Sequence, residues 1–338
     1  MNDCSNRSGR TNVTRIARPF SLLFLVFITI NFVSCASQRD AWQTTRAEEF
    51  FNIGMAYFEL GRFSDAQTWL NRARTADKTL VASEYNLGRI AFETGRFAEA
   101  ARYFEIVLER DPDNVMALQA AAFMRIRNGD FEKAEALYSR VLELVPESAD
   151  NGFNYALVLY GMERFEESED VLNRYPIALE ENASSVLLLA RAQKAQEKVE
   201  AIDSYANWLA LQTGKANPQG LYEYAHVLRN AEHYARALEQ YNAAIEALAV
   251  DTATLSKAKL RFEKAAILLT VDPENDEGME EFNLAVEEGF ADTDAIDALL
   301  EDDRITGENR DEIRIALNDL LVKQGGAGIL GEQEKEDD

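Results

Sequence analysis

The phrase Gly61-Arg62-Phe63-Ser64-Asp65-Ala66 returns 34 residues later as Gly95-Arg96-Phe97-Ala98-Glu99-Ala100, and again as Gly129-Asp130-Phe131-Glu132-Lys133-Ala134. A fourth copy, Glu163-Arg164-Phe165-Glu166-Glu167-Ser168, keeps the register without the glycine. A fixed period of this size constrains the fold more than any other feature of the chain. Each period is one supersecondary unit that cannot bury its apolar face alone, so neighbouring units must stack and share a core.

Between the glycine phrases lie two segments with helical spacing. Phe50, Ile53, Gly54, Tyr57 and Leu60 fall on one face of a first helix, and Phe63, Ala66, Leu70 and Ala73 on one face of a second. Gly61 between them suits a left-handed helix C-terminus, where a Cβ is costly. Asp65 and Glu99 fall in the first turn of the second helix, where acids favour the helix dipole. Pro112 and Pro146 stand at the junctions that follow, since proline cannot continue a helix.

These residues resemble the tetratricopeptide repeat, with small residues where paired helices approach and aromatic residues filling between them. The first unit supplies Phe50, Ile53, Gly54, Tyr57, Ala66, Leu70 and Ala73; the second supplies Leu87, Gly88, Ala91, Ala100, Phe104 and Pro112. Ala122, Ala134, Tyr138, Val141 and Pro146 follow in the third, and Phe153, Tyr155, Ala156, Phe165, Ser168 and Leu172 in the fourth. The register loosens beyond Tyr175-Pro176, but helical pairs are expected at 186–209, 222–245 and 260–286. The resemblance implies an all-α helix-turn-helix solenoid of about six to seven repeats over 47–289, closed by a cap over 290–323 whose last helix runs from about Glu308 to Lys323. Residues 324–338, rich in glycine and then in acid, read as a disordered tail.

The first 34 residues read as an address. Arg7, Arg10, Arg15 and Arg18 precede an apolar run from Phe20 to Val33, about 14 residues and too short for the roughly 20 that span a bilayer. The run ends in Phe32-Val33-Ser34-Cys35, which resembles the lipobox of bacterial lipoproteins in the relaxed form found in spirochaetes. The resemblance implies cleavage before Cys35, a diacylglycerol thioether on its sulfur and acylation of its new amino group. Residues 35–46 would then be a tether of about 40 Å at full extension. Translation from near Val13 would leave a signal of more typical length than translation from Met1.

Two cysteines, at positions 4 and 35, precede the repeats, so the body has no disulfide framework and no thiolate metal site. The formal charge is −24, and residues beyond Ser34 hold 31 basic against 58 acidic side chains. Such a body is repelled by phosphate backbones, which excludes nucleic acid as the expected partner. There is no GxGxxG, P-loop, GxSxG or HExxH. His226 and His233 are separated by a turn at Glu232 and are not expected to share a metal. The chain reads as a non-enzyme without cofactors.

What remains is surface. In the family, the first helix of each unit lines the concave face, which implies a partner-binding groove of Phe51, Met55 and Phe58, then Tyr85, Arg89 and Phe92. Gln119, Phe123 and Ile126 follow, then Phe153, Leu157 and Tyr160, and later Tyr222, His226 and Arg229. The Lys/Asn carboxylate clamp of some members is missing from these positions. The expected function is a scaffold, lipid-anchored in the bacterial envelope and facing the periplasm, that recruits another envelope protein or peptide. The alternative is an accessory component of a transporter that carries a hydrophobic small molecule.

Overall fold

The computed structural model describes residues 45–212 and 217–323, and every regular element among them is helical. Cys35, most of the tether and the tail 324–338 lie outside the described residues. The helices fall into two compact units divided between Leu144 and Val145. Unit 1 holds three pairs: α1 (45–59) with α2 (Phe63–Ala76), α3 (Val81–Glu93) with α4 (Phe97–Arg110), and α5 (Val115–Arg127) with α6 (Phe131–Leu144). Unit 2 holds α7 (Ala149–Gly161) and α8 (Phe165–Leu172), a short α9 (Pro176–Glu181), then α10 (Ala183–Ala195) and α11 (Ala201–Ala210). It continues with α12 (Pro218–Asn230), α13 (Tyr234–Ala247), α14 (Lys257–Val271) and α15 (Glu277–Glu287), and ends with α16 (Thr293–Leu300) and α17 (Gly307–Lys323). The all-α repeat fold is the one expected; α9 was not anticipated.

Each pair closes on a small residue facing a large one. A Cβ placed on Gly54 would stand 2.9 Å from Leu70 Cγ, and one on Gly88 would stand 2.7 Å from Phe104 Cε1. Sixteen residues separate small from large in both cases, and the same spacing sets Ala122 with Tyr138 and Ala156 with Leu172, all four buried. The absent or minimal side chain lets two backbones approach, and the large partner fills what would be a void between them. Around these contacts Ala66, Leu70, Leu87 and Ile90 form one core cluster of unit 1, and Ala91, Ala100, Phe104, Ala121 and Met124 another.

The turn inside each pair is a Schellman motif. Gly61 donates to Phe58 O at 2.9 Å and Arg62 to Tyr57 O at 2.9 Å, and the same two bonds recur after Gly95 and Gly129. The three glycines sit at φ 70, 76 and 73°, the left-handed region that disfavours side chains. The fourth copy loses the glycine but not the turn. Glu163 takes φ 60° with both bonds intact, and Glu197 and Glu232 do the same in the next two pairs. Ion pairs from Arg62 to Asp65, Arg96 to Glu99 and Arg164 to Glu167 then span the first turn of the second helix. Being exposed, each contributes only a few tenths of a kcal/mol.

One packing expectation fails. Ile53 is 37% exposed and Leu60 71% exposed, so the buried face of α1 does not include them. Leu70 of α2 covers the Gly54 side of α1, and Phe51, Tyr57 and Phe58 pack partly on the same cluster. No described helix precedes α1 to cover the rest.

In unit 2 the largest cluster centres on Tyr205, Trp208, Tyr224 and Tyr241, and the indole of Trp208 lies where a Cβ on Gly220 would be. A second cluster packs α14 and α15 against α16 and α17 through Phe262, Phe282, Phe290, Ile313 and Leu317. Inside it, Lys264 is nearly buried and pairs with Glu277 and Glu281, and Arg261 also pairs with Glu281. Burial pushes the Glu281 carboxyl up, but its bonds to Arg261 and Lys264 outweigh that and leave it below the ordinary value. The pairing therefore stabilises at neutral pH and is lost as acid protonates the carboxylate.

Two substitutions test this account by urea denaturation. Gly88→Ala forces a methyl into the Phe104 ring, which is buried and cannot swing away, and should cost about 1–3 kcal/mol. Glu163→Gly relieves left-handed strain, offset in part by unfolded-chain entropy, and should stabilise by about 0.5–1 kcal/mol.

Candidate functional site

The groove residues expected from the register fall in three columns, two of which differ sharply in character. Phe58 packs on the turn residue Phe63 with ring centres 5.6 Å apart, Phe92 on Phe97 at 5.5 Å, and Tyr160 on Phe165 at 5.2 Å. These aromatics bridge the two helices of their own pair. Burial pushes the Tyr160 phenol up. The column beginning at Met55 is more open: Met55 and Arg89 are half-buried, Phe123 is 43% exposed and Leu157 is 38% exposed. Of the neighbouring column, Phe51, Tyr85 and Phe153 are half-buried, and Tyr85 packs on Phe104 at 5.7 Å.

In unit 1 four of these residues converge. Phe51, Met55, Tyr85 and Arg89 line a hollow of about 290 Å³, together with Val81, Ala82, Asn86, Asn114 and Met116. Three elements set its walls: α1, α3 and the start of α5. Asn114 caps α5 by accepting from the Ala117 amide at 3.1 Å, which fixes where Met116 emerges, 54% exposed. Asn86 donates to Ala82 O and accepts from Arg89 Nη1 at 3.0 Å. The Arg89 guanidinium also lies 4.4 Å from the centre of the Phe58 ring. Among the described residues it has no carboxylate partner, and no carboxylate lines the hollow.

That lining stands out against the charge of the chain. Residues 45–144 hold 13 basic and 16 acidic side chains, whereas residues 145–323 hold 16 and 36. Unit 1 is thus close to neutral and unit 2 strongly acidic. Arg127 of α5, stacked 3.8 Å from the Phe97 ring centre, is one of several unit 1 cations without an ion pair among the described residues, with Arg72 on Trp69 and Arg74 by Tyr103.

The first-helix faces of unit 2 differ. Tyr222 is half-buried against Tyr241 and His226, with Lys259 above its ring. Burial pulls the His226 imidazole below its ordinary value, and Lys194 adds to the effect. Arg229 is paired with Glu263, and Arg191 with Glu223. The two arginines here are therefore neutralised, unlike Arg89. Among the described residues, no cluster of three or more His, Cys, Asp or Glu side chains could hold a metal, and no helix is long and apolar enough to cross a membrane.

Asn86, Asn114, Met116 and Arg127 belong to this surface without having been singled out in the sequence. Arg127 sits on a repeat helix where the earlier copies have Glu59 and Glu93, whereas Asn86 recurs in register as Asn52 and Asn154. Asn114 and Met116 lie at a helix start, where cap geometry rather than period decides exposure.

Three tetratricopeptide-repeat family models match the sequence, over residues 50–79, 85–149 and 125–192. Over those segments the chain matches tetratricopeptide repeats. The fold is similar to that of a tetratricopeptide repeat protein from Parabacteroides merdae, at 18% identity and a TM-score of 0.53, covering 75% of this chain and 98% of that one. It is also similar to the C-terminal part of a repeat-containing protein from Cytophaga hutchinsonii, at 13% identity and a TM-score of 0.51, covering 78% and 99%. No curated protein matches the sequence. Proteins built from these repeats are typically non-catalytic and bind peptides or other proteins.

The two columns make opposite demands on mutagenesis. Phe92→Ala should lower stability by about 2 kcal/mol through lost ring packing, whereas Arg89→Glu should cost about 0.5–1 kcal/mol, the value of its stacking on Phe58. Thermal melts of both variants check the division; equal losses would put Arg89 among the packing residues.

Proposed function

We propose that this protein is a lipid-anchored scaffold of a bacterial envelope, which holds another envelope protein or peptide on the open column of its first helices. The observation that carries the reading is the unit 1 hollow, where Phe51, Met55, Tyr85 and Met116 surround an arginine that no carboxylate neutralises. Such a surface can take an apolar side chain and a negative or polar group side by side, the chemistry of peptide recognition. The hollow, about 290 Å³, is of a size to take one or two side chains of such a partner.

Anchoring rests on the sequence outside the described residues: a basic start, a short apolar run and Cys35 in a lipobox-like setting. The first helix begins at residue 45, ten residues past that cysteine. Acyl chains there would hold the repeats near the membrane and raise the local concentration of scaffold over a membrane-bound partner. In this reading the array faces the periplasm.

Crosslinking in intact cells followed by phase partitioning tests both parts. Cys35→Ala should shift the protein from the detergent phase to the aqueous phase. Arg89→Glu with Met116→Glu should leave partitioning unchanged and reduce recovery of the crosslinked partner at least fivefold. Unaltered partitioning of Cys35→Ala would sink the anchor, and undiminished recovery would sink the groove.

A further inference from the structure

The unit 1 hollow has a matching segment in the same sequence. Residues 324–338 contain one pair of branched aliphatic residues, Ile329-Leu330, in a glycine-rich stretch. Two residues on begins an acidic run holding Glu332, Glu334, Glu336, Asp337 and Asp338 against the single cation Lys335. An apolar pair followed by carboxylates complements a surface that sets Met55 and Tyr85 beside Arg89. Arg127, stacked on Phe97, is a further cation of the same unit with no ion pair among the described residues. Unit 2, with 36 acidic side chains against 16 basic, repels such a segment, and its first-helix arginines Arg191 and Arg229 are already paired.

We propose that residues 329–338 of a second copy of this chain dock in the unit 1 hollow, Ile329 or Leu330 entering between Met55 and Tyr85 and the acidic run meeting Arg89. The proposal rests on the groove reading above and adds a resident occupant to it. A contact between the hollow of one copy and the tail of the next is heterologous, so it can extend from copy to copy rather than close as a dimer. An outside partner for the groove must then displace the tail. Salt weakens the association, because the acidic run acts through exposed charges.

The test uses the chain from residue 36 onward, with folding of every variant verified by circular dichroism. In sedimentation equilibrium its average mass should rise with concentration. That rise should disappear on removal of residues 324–338, with Ile329→Ser/Leu330→Ser, and with Arg89→Glu. A fluorescent peptide of residues 325–338 should bind the tail-less chain saturably, at least tenfold more weakly after Arg89→Glu and also after Met116→Glu. Self-association that survives removal of the tail overturns the proposal, as does peptide binding indifferent to Arg89. A monomer that protects its own tail from carboxypeptidase assigns the segment to the same copy and overturns it too. If the peptide fails to bind while partner recovery in cells still depends on Arg89, only the tail proposal falls; if both fail, the groove reading falls with it.

Discussion

The close approach of two helices over a residue with little or no side chain is the contact on which this fold depends. Gly54 beneath Leu70 and Gly88 beneath Phe104 let the backbones of a pair come together. The large partner turns that approach into buried area and excludes voids. Everything else follows from repeating it. The pair is too small to hold a core alone, so it must share one with its neighbours, and the shared cores of unit 1 lie between successive pairs.

Repetition also explains which residues are free for function. A position engaged in closing its own pair, such as Phe58 on Phe63 or Phe92 on Phe97, has its aromatic surface committed. A position one helical turn away, in the column of Met55, Arg89, Phe123 and Leu157, keeps part of its surface open. The residue types along that column change from copy to copy, which packing alone would not require. Arg89 is the sharpest case, because it is the one cation in the lining of the unit 1 hollow and no carboxylate stands among the residues described there.

The left-handed turns show how far a repeat tolerates departure from its own pattern. Glycine occupies the turn in three pairs and glutamate in the next three, yet the two Schellman bonds are formed in all six. The cost of a side chain at positive φ, about 1–2 kcal/mol, is small beside the burial that each pair gains from its neighbours. Local preference yields where tertiary packing over-determines the backbone.

The period, the small–large spacing, the pairing of helices and the approximate place of the last helix were legible in the sequence, because each is a consequence of which side chains can sit between two helices. The lipobox-like setting of Cys35, on which the proposed anchor rests, is read from the sequence alone, in residues outside the described helices. The site was legible only as a set of positions. Spacing assigned Phe92 and Arg89 to one face, and it took the tertiary structure to show that one packs inward while the other stays open beside Met116 and Asn114. Sequence periodicity records the direction in which a side chain leaves its own helix; what covers it is decided by neighbouring helices and by the caps that set where they begin.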